Sequence, residues 1–173
     1  MTATILRKDE FGMLDPKAYR DAMSDVASPV HIVATDGEAG IAGLTVTALS
    51  SVSDQPPILL VCVNRASPSA QRFINNGVFS VNTLGAADRA LADIFAGRTH
   101  EHFGEKFAHG VWAPGRNGAP LLQSALANFE CRLIDMKDVG THHVFFGAVE
   151  TVAHRPDGAG LLYHRRGYAR SER

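Results

Sequence analysis

The sequence predicts a mainly β protein, an antiparallel barrel of about seven strands decorated by peripheral helices. Three observations predict it. Apolar residues alternating with polar ones recur between Gly-, Pro- and Asn-containing turns, the period of strands with one buried face. Helical periodicity is confined to short segments, one early and two in the middle of the chain. Finally, 173 residues, 45% of them hydrophobic, are enough for one core, and no internal repeat or low-complexity tract divides them. The expectation is one domain over residues 1–173.

The elements follow in order. DPKAYRDAMSDVA, residues 15–27, places Tyr19, Ala22, Met23, Val26 and Ala27 on one helical face behind an aspartate cap and a first-turn proline. PVHIVAT (29–35), the turn DGEAG (36–40) and IAGLTVTALSSVS (41–53) read as a hairpin of two strands. ILLVCVN (58–64) is continuously apolar, so a strand covered on both faces is expected. SPSAQRFINN (67–76) and AADRALADIFAG (86–97) carry helical signals on either side of a short strand, VFSVNTL (78–84). HGVWAPGRNGAPLL (109–122) is too rich in Gly and Pro for regular structure. In ALANFECRLIDMKDV (125–139), Ala125, Ala127, Phe129, Cys131 and Leu133 alternate with Leu126, Asn128, Glu130 and Arg132, which puts the second set toward solvent. GTHHVFFGAVETVAHR (140–155) behaves alike, and GLLYHRRGY (160–168) is a final strand.

Charge and motifs remove several function classes. Seventeen basic against eighteen acidic residues leave a net charge of −1, no field to gather nucleic acid or an anionic membrane. MTATILRKDEFGMLDPK lacks the roughly 7–15-residue apolar core of a signal peptide, and no run nears the roughly 20 residues of a membrane span, so a cytoplasmic location is expected. Cys62 and Cys131 sit in separate apolar runs without C-x-x-C spacing, which favours reduced, buried thiols. Gly37, Gly40 and Gly43 have the wrong spacing and context for a dinucleotide fingerprint, and there is no phosphate loop or nucleophile elbow. His100, His102, His142 and His143 form pairs without a third metal ligand at recognisable spacing.

What remains is an unusual density of alcohols. Thr45, Thr47, Ser50 and Ser51 precede Pro56–Pro57, and NRASPS adds Asn64, Arg65, Ser67 and Ser69 where a helix begins. β-propensity alone explains a Thr-rich strand with one solvated face. Alternatively, hydroxyls and intervening amides hold the polar edge of a heteroaromatic ring without lysine, and the helix start receives a phosphate. Phe103 and Phe107, four apart in HFGEKF, read either as core or as a wall of that groove.

AGLTVTALSSVSDQPPILLVCVNRAS, FSVNTL, GVWAPGRNGAPLL, ALANFECRL, VGTHHVFFGAV and GLLYHRRGY stand in an order and spacing that resembles the short-chain flavin reductases over residues 18–168. These are small reductase partners of two-component flavin monooxygenases. The resemblance implies an antiparallel Greek-key FMN-binding split barrel with peripheral helices, acting as a homodimer with FMN or FAD in an interface groove and NADH or NADPH as hydride donor. It implies that Thr45, Val46, Thr47, Ala48, Ser50 and Ser51 line the isoalloxazine and ribityl chain, with Asn64, Arg65 and Ser67 near the phosphate. Phe103 and Phe107 stand beside them, and His142, Tyr168 and Arg166 would meet the nicotinamide nucleotide. His143 follows as a second histidine, and Ala169 occupies a position where the family often has histidine. Hydride transfer between stacked rings needs alignment more than a protein acid or base. Three functions are open under this resemblance: supply of reduced flavin to a monooxygenase, reduction of a cob(II)yrinic-type corrinoid through bound flavin, or flavin binding without turnover.

Overall fold

The computed structural model describes residues 14–155 and 157–172. Residues 1–13, where the reading of the amino terminus mainly falls, lie outside them.

In chain order the elements are α1 (Pro16–Ser24), β1 (Ser28–Pro29), β2 (His31–Thr35), β3 (Ala42–Val46), β4 (Leu49–Asp54), β5 (Pro57–Asn64), α2 (Ala70–Asn76) and β6 (Val78–Thr83). A 3₁₀ turn at Ala86–Asp88 then leads into α3 (Arg89–Phe95) and α4 (Phe103–Lys106). The rest is β7 (Trp112–Pro114), β8 (Pro120–Leu122), β9 (Ala127–Val139), β10 (His142–His154), β11 (Leu161–His164) and β12 (Gly167–Arg170).

Seven strands form one antiparallel sheet in the order β3-β2-β6-β9-β10-β5-β4. Its two edge strands, β3 and β4, are consecutive in the chain and separated only by Thr47 and Ala48. Val46 from one edge, Val61 next to the other, and Val33, Phe79, Val81, Cys131 and Phe145 between them share one buried core. The sheet therefore curls until its edges approach without pairing, which is a split barrel. A second core lies on the outside of the curl, where Leu91, Ala92 and Phe95 of α3 pack on Val30, Ile32, Leu84 and Leu161.

Local chemistry fixes the curl. α2 ends at Gly77 in the left-handed region, φ +67°, a conformation natural to glycine. The last residue of that helix, Asn76, staples the β2–β3 turn: its Oδ1 accepts from the Ala39 amide at 2.9 Å, and its Nδ2 donates to Gly40 O and Thr35 Oγ1, both at 3.1 Å. Buried Asn82 on β6 accepts from Leu122 N and Asn128 Nδ2, each at 2.8 Å, and donates to Ile32 O at 3.1 Å, so β8 is tied to the main sheet.

Several sequence expectations are corrected. The hydroxyl segment 41–53 is two strands, not one, because the chain leaves one sheet edge at Thr47 and begins the other at Leu49. β5 is not covered on both faces: Leu59, Val61 and Val63 are buried, whereas Ile58, Leu60 and Cys62 are half-exposed. Residues 109–122 include a short β7–β8 ladder. Glu130 points inward, 4% exposed, because its Oε2 accepts the Asn117 amide at 3.1 Å. The last segment is a β11–β12 hairpin that turns at Arg165–Arg166. α1 stops at Ser24, and its apolar face is left open among the described residues: Tyr19, Met23 and nearby Val26 are 56%, 46% and 51% exposed. Both cysteines are free thiols; Cys131 is buried and pushed up to about 12, first by burial, while Cys62 is only half-buried.

His31 is 3% exposed in β2, with Nδ1 3.1 Å from Thr83 Oγ1 and Nε2 without a hydrogen-bond partner among the described residues. Burial holds its pKa down to about 4. The unfolded chain, titrating near 6.5, therefore takes up this proton first as pH falls. The contribution is intact above about pH 6.5, declines toward pH 4, and is flat below, a loss of about 3 kcal/mol. Urea unfolding is expected to show His31→Gln losing less stability than the parent between pH 7 and pH 4; parallel curves would contradict this.

Candidate functional site: a groove along the barrel seam

α3 lies across β3 because position 43 is glycine: a Cβ there would stand 2.8 Å from Phe95 Cε1 and 3.0 Å from Phe107 Cζ. Thr45 Oγ1 completes the attachment by donating to Ala92 O at 2.7 Å. Beyond α3 the chain turns at Ala96–Gly97 and runs to α4, leaving a hollow of about 420 Å³ over β3. Its floor is Gly43, Leu44 and Thr45; Phe95, Ala96 and Gly97 form one wall, and Glu101, His102, Phe103 and Lys106 the other. Ser67, Pro68 and Ser69, just before α2, close the end.

Charge is concentrated at this end. The Arg72 guanidinium lies 3.7 Å over the Phe103 ring while its Nη1 donates to Ile41 O at 2.7 Å, so the aromatic wall is fixed from behind. Burial pulls the Lys106 ammonium below the ordinary lysine range, and the Glu101 carboxylate pushes it partly back.

Thr45 and Ala96 also border a second hollow, of about 240 Å³, completed by Val30, Val46, Thr47, Arg98, Tyr163 and Tyr168. Thr47 and Tyr163 in turn border a third, of about 260 Å³, between α1 and the β11–β12 hairpin, where Arg20, Met23 and Arg166 stand. The three make one track along the split. Tyr168 is held in it by its hydroxyl, which donates to Asp93 Oδ1 at 3.0 Å; burial, then that carboxylate, pushes the phenol up to about 12, so it stays neutral.

The structure brings Thr45, Val46, Thr47, Ser67, Phe103, Tyr168 and Arg166 to this track, and Ala48 is exposed beside it at the seam. Others expected with them lie elsewhere in one chain. Ser50 and Ser51 are exposed on β4, where Ser51 borders a separate apolar hollow with Leu49, Phe129 and Val149. Asn64 Oδ1 accepts from Ala66 N at 2.9 Å, and Arg65 reaches Asp138 at 3.6 Å and Gly140 O at 3.5 Å, both turned toward the β9–β10 turn. His142 begins β10 opposite Asn64, its Nδ1 2.9 Å from Thr141 Oγ1. Phe107 is core, packed edge-on to Phe95 and Trp112 at 5.0 and 4.9 Å.

Sequence reasoning missed Lys106, Asp93 and Arg98, and expected a site without lysine. The overlooked signal is local: Lys106 follows Phe103 by three residues in one helical turn and so shares its face.

A curled antiparallel sheet with a track at its split, walled by aromatics and floored by threonines, defines a split-barrel domain with a ligand-binding groove. The chain belongs to the flavin reductase like domain family, which matches residues 23–172. Among its relatives, the FMN reductase (NADH) RutF of Methylorubrum populi is 48% identical over 155 residues, covering 90% of this chain and 76% of the relative. Two solved structures resemble it at a TM-score of 0.84. BorF, the flavin reductase component of a bacterial two-component tryptophan halogenase, is 31% identical over 90% of this chain and 98% of its own. The NADH:FAD oxidoreductase SgcE6 of Streptomyces globisporus, in complex with NAD and FAD fragments, is 30% identical over 92% of this chain and 96% of its own.

Since the Thr45 hydroxyl is committed to α3 and Thr47 is exposed, the two should separate on substitution. Thr45→Val is expected to lower unfolding stability by about 1 kcal/mol, the usual net worth of such a bond. Thr47→Val should stay within about 0.5 kcal/mol, as surface changes do. Chemical denaturation of both measures this.

Proposed function

We propose that this chain, as one domain over residues 1–173, is an NADH-dependent flavin reductase that reduces FMN and supplies it to a partner monooxygenase. The proposal includes a cytoplasmic homodimer. The observation that carries it is the continuity of the track, with a hydroxyl-bearing end at Ser67, where Lys106 and Glu101 both stand, and an aromatic middle at Tyr163 and Tyr168.

The residues fit a flavin mononucleotide. Ser67 Oγ and the Lys106 ammonium supply a donor and a charge for a phosphate, and Phe103, braced by Arg72, supplies a flat apolar wall. Gly43, where Phe95 and Phe107 take up the space a side chain would fill, sets the aromatic wall directly against the floor. Thr47, unlike Thr45, has a hydroxyl free of the helix and would be available to hold the polar edge of a bound flavin ring. When bound, the flavin supplies the hydride-accepting chemistry; the protein's task is alignment and exclusion of water. Tyr168 and Arg166 take the nicotinamide nucleotide from the other end of the track. The names of the relatives, which specify FMN and NADH, support this assignment. BorF, the flavin reductase component of a two-component halogenase, supports delivery of reduced flavin to a separate partner enzyme.

Exposed Val52 on β4, Ile134 on β9 and Val152 on β10, together with Met23 and Val26, are apolar side chains available to a second copy. In a homodimer the residues away from the track, Ser50, Ser51, Asn64, Arg65 and His142, complete the partner's groove.

Purified protein is expected to oxidise NADH in a manner that saturates with added FMN. Lys106→Ala should raise the FMN dissociation constant about tenfold, the weight of one charge-assisted contact. His142→Ala should raise the KM for NADH more than that for FMN. Unchanged FMN affinity in Lys106→Ala removes the phosphate assignment, and absence of FMN-dependent NADH oxidation removes the activity.

A further inference from the structure

Tyr168 is only partly buried, its ring packed against the margin of the outer core. It sits on β12, a four-residue strand at the edge of the small β1-β11-β12 sheet, and its flanking residues are exposed. Yet its ring borders the middle hollow and its hydroxyl is turned inward. The group it meets is Asp93, on the solvent-side flank of α3, far away in sequence. Asp93 Oδ1 accepts twice, from Tyr168 Oη at 3.0 Å and from Arg98 Nη1 at 2.6 Å. The same guanidinium sits 5.5 Å from the Tyr168 ring centroid and 3.5 Å, through Nη2, from Tyr163 Oη. Arg89, one helical turn before Asp93, stands 5.4 Å from the same ring centroid. Tyr163 closes the group edge-on at 5.5 Å.

We infer that Asp93 is a positioning residue for the hydride-donor end of the track: one carboxylate oxygen fixes Tyr168 and Arg98 together as the wall that receives the nicotinamide nucleotide. This rests on the proposed reading that Tyr168 takes that nucleotide. The physical argument has two parts. The outer core and Tyr163 hold the Tyr168 ring from the side, while the direction of its part-buried hydroxyl is fixed by its acceptor, and an ionised acceptor is the stronger one. Arg98 follows the Ala96–Gly97 turn, half-exposed, and an unpaired guanidinium there would sample many rotamers. Paired with Asp93, it is pre-organised with N–H groups left over for an anionic oxygen. Two arginines against one carboxylate leave the cluster net positive, the sign that a dinucleotide's phosphates require.

The test is steady-state NADH:FMN reductase kinetics on Tyr168→Ala, Tyr168→Phe, Asp93→Ala, Asp93→Asn and the double variant Asp93→Ala/Tyr168→Phe, with urea stability and FMN dissociation measured on each. Asp93→Ala is expected to raise the KM for NADH about tenfold, the weight of a bond to a charged group, with kcat changed less than twofold and FMN affinity intact. Asp93→Asn, which keeps an acceptor oxygen for the phenol, should recover part of that loss. In the Tyr168→Phe background Asp93→Ala should cost markedly less, because the two act through one bond. If Tyr168→Ala leaves the KM for NADH unchanged, the reading of the track fails and this inference with it. If Tyr168→Ala raises it but Asp93→Ala does not, or the two losses simply add, the positioning role alone is overturned. A variant that loses stability, kcat and FMN affinity together marks Asp93 as a general structural contact and also overturns it.

Discussion

The structure depends on a sheet that cannot close. β3 and β4 are its two edges, yet only Thr47 and Ala48 separate them in the chain. Two residues span too little distance to cross a barrel, so the edges must come near each other and stop. Closure would have satisfied both rows of backbone donors and acceptors; the split leaves them beside a track where polar ligands can take their place. The position of the threonines follows from this, since they belong to the strand that ends at the gap.

α3 converts that gap into a groove. It faces two ways: Leu91, Ala92 and Phe95 enter the outer core, whereas Asp93 on the opposite flank addresses Tyr168 and Arg98. The helix is fastened to β3 through Gly43 and the Thr45–Ala92 bond, so the aromatic wall at Phe95 and the carboxylate at Asp93 move as one piece with the floor. Burial of a few large side chains thereby sets the geometry of a polar site, at a cost of only a few backbone-adjacent positions that tolerate no larger residue.

How much of this was legible in the sequence divides along a physical line. Period and punctuation depend on near neighbours, and they reveal the β class, the β2–β3 hairpin, both long strands and the early helix. The break at Thr47 left no mark, because strand propensity continues through Ala48 to Ser53 while the change of edge is decided by pairing with β5. Glu130 obeyed the solvent-side alternation but found the Asn117 amide, a partner thirteen residues away. At the site, the alcohol-rich floor stood out by composition. Lys106 and Asp93 did not, since a charge on a short helix looks alike whether it faces water or a groove. The family resemblance brought Tyr168 and Arg166 forward, but only coordinates separate Ser50 and Ser51 from Thr45 and Thr47.

The β11–β12 turn has a further consequence. Arg165 and Arg166 both occupy the left-handed region, φ +49° and +61°, which side chains other than Gly, Asn and Asp visit at a cost. Their guanidinium groups reach Asp25 and Asp21, and the Arg165 amide donates to Ser24 O at 2.7 Å, while no residue of α1 is buried. Solvent-facing ion pairs of this kind are screened over about 8–10 Å in ordinary buffers and hold only weakly. The far wall of the track is thus tethered by electrostatics where the rest is clamped by hydrocarbon. Dissolved electrolyte loosens this one helix long before it touches the barrel.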